Sequence, residues 1–163
     1  MTCAPHPISR DIELAVTRLY EDYAAVIDDG LLDRWPEFFT EDCNYQVISR
    51  ENVDAGLTHA TIYCDGLGMV RDRANATRDC TVYEPRYLRH FLGSIRVSSV
   101  DGEVIRSTGS FLVVESVSDS EPYVHTVGQY RDRIVSGPDG LKFQERLCVY
   151  DNYRIFNSLV FPV

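Results

Sequence analysis

Apolar residues at three- and four-residue spacing open the chain. Ile12, Val16, Leu19, Tyr23 and Val26 fall on one face of an amphipathic helix. Ser9 precedes them as a candidate N-cap, and Asp11 and Glu13 place acid in the first turn, where the helix dipole favours it. Asp28-Asp29-Gly30 ends the pattern, with Gly30 where a left-handed residue commonly closes a helix. A shorter helix is predicted over residues 31–39, carrying Trp35, Phe38 and Phe39 inward and tolerating Pro36 in its first turns. Residues 44–48 and 58–64 read as strands, separated by a polar connection over 51–56. Residues 66–79 read as a helix with Leu67, Val70 and Ala74 on one side and Arg71, Asp72, Arg73 and Arg78 on the polar side, although Gly66 and Gly68 weaken it.

From Tyr87 the helical spacing gives way to alternation. Four segments rich in Val, Ile, Thr, Tyr and Phe follow, over residues 87–100, 104–117, 123–135 and 141–150. Short polar turns separate them: Asp101-Gly102, residues 118–122, and Gly137-Pro138-Asp139-Gly140. Such turns between consecutive strands imply an antiparallel meander. Alternation puts Arg131 and Arg133 on one face and Asp132 on the other. The apolar residues 158–163 are expected to extend a sheet edge or to pack on a neighbour. Helices first and strands afterwards make an α+β layout, with the helices on one face of a curved sheet. Residues 1–8, with Pro5 and Pro7, read as a loose tail, and residues 9–163 as a single domain; 163 residues leave no comfortable room for two.

Charge narrows the function classes. The net charge is −9, and the basic residues are interspersed with acids, as in Arg71-Asp72-Arg73 and Arg131-Asp132-Arg133. Nucleic-acid backbones and anionic membranes both require unpaired positive charge, so neither is an expected partner. No apolar run approaches a membrane span, and residues 1–10 lack the apolar core of a signal peptide, so the expected location is the cytoplasm. The five cysteines are scattered with no Cys-x-x-Cys pair, which marks them as reduced, small core residues, Cys148 most clearly.

Candidate chemistry is sparse. No phosphate-binding glycine loop, dinucleotide fingerprint or nucleophile elbow occurs. Cys3-Ala-Pro-His6 has no second half, and His59, His90 and His125 sit in separate elements, so no Rieske or facial-triad ligand set is apparent. Tyr20, Tyr23, Asp28, Trp35, Asp42, Tyr45 and His90 admit two readings. One is a helix-on-sheet core with its hydroxyls tied to polar neighbours. The other is a proton-transfer pocket that pairs Asp28 or Asp42 with His90 and uses Tyr45, as a lyase or isomerase would. Arg71, Asp72, Arg73, Arg89, Arg131 and Arg146 are candidates for a subunit interface, where arginine is enriched. A cone filled by Trp35, Phe38 and Phe91 would favour a structural role, and an open polar cavity would favour an enzyme.

The order of motifs carries a resemblance. Tyr20-Glu21-Asp22-Tyr23, Asp28, Trp35-Pro36-Glu37-Phe38-Phe39, Asp42 and Tyr45 come first. Met69-Val70-Arg71-Asp72-Arg73, Arg89-His90, Gly128-Gln129-Tyr130-Arg131-Asp132 and Arg146-Leu147-Cys148-Val149-Tyr150-Asp151 follow. From about Tyr20 onward the series resembles the β subunits of aromatic-ring-hydroxylating oxygenases, most of all the branch acting on aromatic acids such as salicylate or terephthalate. The resemblance implies a cone-shaped, cystatin-like α+β fold shared with scytalone dehydratase and ketosteroid isomerase. It implies a non-catalytic subunit that assembles with α subunits and other β subunits, three of each. It also implies no cofactor on this chain: the Rieske [2Fe-2S] cluster and the mononuclear non-haem iron belong to the α subunit, and a separate reductase passes electrons from NAD(P)H.

Overall fold

A computed structural model describes residues 8–80, 82–156 and 158–163. The tail expected over residues 1–8 therefore lies outside the described residues except for Ile8, which packs against the core. Helix α1 runs Arg10–Asp28, and the Ser9 hydroxyl accepts from the Asp11 N–H as its cap. Its C-terminus closes as predicted. Gly30 adopts φ +69°, and Leu31 N–H reaches back to the Val26 carbonyl, the reversed bond that a left-handed residue permits.

The predicted second helix shrinks to a 3-10 turn, Trp35–Phe38, with Pro36 near its start. Phe39 already belongs to strand β1, Phe39–Ser49, which extends the predicted strand backward. The polar connection is itself a short helix, α2 (Arg50–Asp54), because the Ser49 hydroxyl caps it by accepting from Asn52 N–H. Strand β2 (Ile62–Asp65) and helix α3 (Leu67–Asn75) follow, and a π turn, Ala76–Cys80, prolongs α3. The long strands are β3 (Arg86–Asp101), β4 (Val104–Val117), β5 (Tyr123–Gly137) and β6 (Gly140–Tyr150). All four lie within about two residues of the sequence reading.

The six strands form one sheet in the order β2-β1-β6-β5-β4-β3. Every pairing is antiparallel except β1 with β6, which is parallel and sets Tyr45 beside Arg146 and Val47 beside Cys148. This joins the first strand of the chain to the last and so closes the early half onto the meander. Helix α1 lies in the concave face and buries Val16, Leu19, Tyr20, Tyr23, Val26 and Ile27. Helix α3 covers the β1–β2 end with Leu67, Val70 and Ala74. A bulge between β5 and β6 pairs Arg133 with Glu145 but Ile134 with Phe143. The extra residue resets the alternation, so Phe143 and Arg146 both point inward.

Candidate functional site

The concave side of the sheet closes around aromatic rings. Trp35, Tyr20, Tyr23, Tyr45, Tyr130, Phe39, Phe111 and Phe143 are each at most 1% exposed. They meet mainly edge to face, with centroids 5.1 Å apart for Trp35–Tyr45 and 5.6 Å for Tyr23–Phe143. Each such pair contributes ~0.5–1.5 kcal/mol beyond its buried area. The rings come from α1, the 3-10 turn and four strands, so the interior is a convergence of the whole fold.

Arg146 stands at its centre. This is the main correction to the sequence reading, which placed Arg146 at a subunit interface: its side chain is wholly buried within its own chain. Its guanidinium lies 3.7 Å from the Tyr130 ring centroid, 4.1 Å from Tyr23 and 4.3 Å from Phe143. Nη1 donates to Asp132 Oδ2 at 2.7 Å. The Nε and Nη2 groups have no oxygen partner and face the rings instead, whose negative π faces receive a desolvated cation favourably. Burial alone would lower the Arg146 pKa, but Asp132 and the surrounding phenols hold it well above its usual value. Burial pushes the Asp132 carboxyl up to about 6 against the pull of Arg146, so both groups are ionised at neutral pH. Asp132 faces inward while Arg131 is exposed and Arg133 half-buried, as the alternation predicted.

Of the proposed proton-transfer residues, the structure joins two and separates the third. Asp28, at the end of α1, accepts from the His90 backbone N–H at 2.9 Å and lies 2.6 Å from His90 Nδ1. Tyr45 is elsewhere and is engaged with Val163. Asp42, the other suggested partner of His90, is exposed and accepts from Gln144. His90 Nε2 is buried without a hydrogen-bond partner. Phe91, expected to fill the cone, is 56% exposed because it alternates with the inward Leu88 and His90.

Sequence reasoning missed a second buried polar group. Glu115 on β4 is 0% exposed; it accepts from Arg86 at 2.7 Å and from the Tyr123 hydroxyl, and it lies 3.7 Å from His125 Nε2. Glu115 alternates in step with Phe111 and Val113, which was the available signal. Burial lowers the His125 pKa, partly offset by Glu115. The buried cysteines are inert thiols: burial raises Cys43 to about 11 and Cys148 to about 12.

The remaining interface candidates lie further out. Arg71, Asp72, Arg89 and Arg131 are exposed. Arg73 is half-buried and donates to the Leu159 and Val160 carbonyls. Residues 158–163 neither extend an edge nor reach outward as expected; Val160, Pro162 and Val163 are buried in their own chain. The outer face of β3, β4 and β5 carries apolar side chains in register. Arg89 pairs with Val114 and Phe91 with Leu112, while Val114 pairs with Val124 and Leu112 with Val127. Tyr87, 83% exposed, continues the strip. An open groove of about 1480 Å³ lies outside the cone between α1, α3 and the β5–β6 hairpin. Inside, the space beside His125 and Glu115 amounts to about 10 Å³, which is one water's worth and far below a ligand pocket. Among the described residues no three His, Cys, Asp or Glu side chains come together as a metal site requires, and no helix is long and apolar enough to cross a membrane.

Comparison with known proteins bears on this geometry. The model of the SnoaL-like domain matches residues 10–147. The anthranilate 1,2-dioxygenase small subunit of Burkholderia cepacia is 36% identical, over 89% of this chain and 90% of its own. The terephthalate 1,2-dioxygenase terminal oxygenase component subunit beta 2 of a Comamonas species is 32% identical, over 93% of this chain and 98% of its own. A crystal structure from Novosphingobium aromaticivorans, named as the β subunit of an aromatic-ring-hydroxylating dioxygenase, superposes with a TM-score of 0.86. It is 34% identical and covers 94% of this chain and 98% of its own.

Proposed function

This chain belongs to the small (β) subunits of aromatic-ring-hydroxylating dioxygenases, built on a SnoaL-like domain, and from that premise we propose that it is a bracing subunit whose outer sheet face holds the complex together. It is one component of an oxidoreductase complex. The observation that carries the bracing role is the division of its surfaces. Among the described residues the interior is filled by rings around Arg146, and the space beside His125 and Glu115 is about 10 Å³. The outside of β3–β5 presents Tyr87, Phe91, Val124 and Val127, all 38–83% exposed, with Arg89 and Arg131 beside them. Aromatic side chains and arginine are the residues enriched at subunit contacts, and a contiguous apolar strip on a sheet is costly to leave wet.

In this reading Arg71, Asp72, Arg89 and Arg131 set the register of contacts with the α subunit and with neighbouring β subunits, in a complex of three α and three β chains. The Rieske cluster and the mononuclear iron reside on the α subunit and perform the oxygen chemistry, and NAD(P)H supplies electrons through a separate reductase. The assembly works in the cytoplasm on an aromatic acid, the class named in the anthranilate and terephthalate relatives. Co-expression with the cognate α chain, followed by native mass measurement and an iron count, tests the proposal. The expected result is a mixed hexamer whose iron follows the α chain. An iron-free homo-oligomer that ignores the α chain would overturn it.

A further inference from the structure

Read along the chain, Arg131-Asp132-Arg133 mixes both charges; the fold separates them. Strand alternation turns Asp132 inward onto Arg146, so Arg131 and Arg133 reach the outer face without it. Register sets two more cations beside them. Arg106 of β4 lies directly opposite Arg133, and Thr108 stands between Arg96 of β3 and Arg131 of β5. Ser107 points inward to the Tyr20 hydroxyl, so its neighbours Arg106 and Thr108 point outward, and their register partners share that face. Four arginines from three adjacent strands thus occupy one end of the outer face, the end away from Tyr87 and Phe91. Arg96, Arg106 and Arg131 are exposed and Arg133 is half-buried. Like charges directly opposite one another destabilise a sheet, and the chain does not neutralise these. Among the described residues none of the four takes part in an ion pair. Arg131 donates to the neutral Gln129, and Glu145 pairs with Arg133 in register without closing a salt bridge.

Acid that could neutralise this end lies on the opposite side of the same chain. The net charge is −9. Helix α1, in the concave face, and its C-cap expose Asp11, Glu21, Asp22 and Asp29 along one outward stripe, with Arg10 and Arg18 among them. None of these four acids is ion-paired among the described residues. Asp22 and Asp29 border the open groove of about 1480 Å³. They are two turns apart on one face, ~10 Å along the axis. Arg96 and Arg131 lie two strand spacings apart, also ~10 Å. The spacing of negative charge on the helix therefore matches that of positive charge across the sheet.

We infer that the arginine end of the outer face docks the acidic side of α1 from a second copy of this chain, with Asp22 and Asp29 of that copy meeting Arg96, Arg106 and Arg131. This rests on the bracing role proposed above, and it leaves the apolar strip of Tyr87 and Phe91 to the other contacts of the complex. Two copies do not meet through this end face to face, because arginine would oppose arginine. Contact between unlike faces leaves one arginine end and one acidic side free until the last copy meets the first, so the arrangement closes as a ring.

Zero-length carbodiimide coupling in the complex with the α subunit tests the contact. Arg106→Lys with Arg131→Lys keeps the charge and supplies amines that the coupling joins to carboxylates. Complexes are assembled from equal amounts of isotopically heavy and light copies of this chain. Peptides containing position 106 or 131 should link to the peptides carrying Asp22 or Asp29, with about half of the links joining heavy to light, as random mixing in a ring of copies requires. Links to the α subunit alone, links within one copy alone, or no links would overturn the inference. Native mass measurement of the same sample reports whether the mixed hexamer exists, and so judges the bracing role separately. Charge exchange supplies a second measurement. Arg106→Glu with Arg131→Glu should raise the protein concentration at which half the complex has dissociated by about 10-fold, because acid then opposes acid. Adding Asp22→Arg with Asp29→Arg should restore it. Reversals that leave dissociation unchanged, or that the second pair fails to rescue while the far-UV circular dichroism stays native, would also overturn the inference. So would nucleic acid carried by the purified complex and lost with the arginines, since the face would then bind phosphate.

Discussion

Asp28 ties the end of α1, the longest helix among the described residues, to the far strand of the sheet, and its removal has a calculable cost. The carboxylate is 5% exposed and the His90 side chain 0%. Asp28→Ala strands the buried His90 N–H, which loses ~1–3 kcal/mol, and removes a charge-assisted bond to the imidazole worth ~1.5–3 kcal/mol. A negative charge at a helix C-terminus is itself unfavourable by ~0.3–1 kcal/mol, and that amount is returned. Arg89, 3.8 Å away and 65% exposed, adds little. The net loss is about 3–4 kcal/mol, a large share of a domain's ~5–15 kcal/mol. Urea unfolding reads it well, because Trp35 is the single tryptophan and is fully buried in the same core. His90→Ala separates the two components, since it removes the imidazole but keeps the backbone N–H. A double-mutant cycle should therefore give a side-chain coupling of about 1.5–3 kcal/mol, with Asp28→Ala still costing ~1–3 kcal/mol in the His90→Ala background. A coupling below ~0.5 kcal/mol, or a total loss below ~1 kcal/mol, would refute the reasoning, because surface substitutions already fall in that range.

Gly128→Ala should be among the most damaging small changes, costing about 3 kcal/mol or more: its Cβ would lie 2.0 Å from the Val149 carbonyl oxygen and 2.8 Å from Tyr150 Cα, both backbone atoms that cannot step aside. A wild-type Trp35 unfolding midpoint in that variant would contradict this close approach of β5 and β6. His125 is held neutral below its usual 6.5 by burial, despite Glu115 and near Arg86, so the folded chain binds fewer protons than the unfolded one there. Its contribution is complete above pH 6.5 and is lost as pH falls below it, so His125→Gln should flatten the acid side of the stability profile. Asp132 works in the opposite sense: raised to about 6, its contribution is present below 3.8 and lost as pH rises through 6. The comparison is therefore the variant-minus-wild-type difference in urea midpoint between pH 7 and 5. Tyr87→Ser with Phe91→Ser should leave that midpoint within ~0.5 kcal/mol, as surface changes do, while loosening the complex on native mass measurement. A hexamer of unaltered stability would move the contact face elsewhere.

Much of this fold was legible because its rules are local. The Ser9 cap, the apolar stripe of α1 and the closing Gly30 depend on residues within a few positions of one another. The four long strands are bounded by their own turns, and strand alternation by itself set Asp132 against Arg131 and Arg133. The same alternation placed Arg146 in step with Cys148, already read as a core residue, but a guanidinium in a core contradicts what charge alone predicts. Only tertiary structure makes that burial tolerable. Tyr20 and Tyr23 from α1, Tyr130 and Asp132 from β5, and Phe143 across a bulge must all arrive at one point, and no local pattern records that meeting. Likewise Asp28 rather than Asp42 meets His90, because α1 crosses the concave face while the inner strands turn Asp42 outward. The sequence by itself determined α1, α3, the four long strands and the family. The parallel joining of β1 to β6, the cation at the centre and the residence of residues 158–163 inside the cone were decided by long-range packing, where the desolvation of each group is offset by partners distant in the chain.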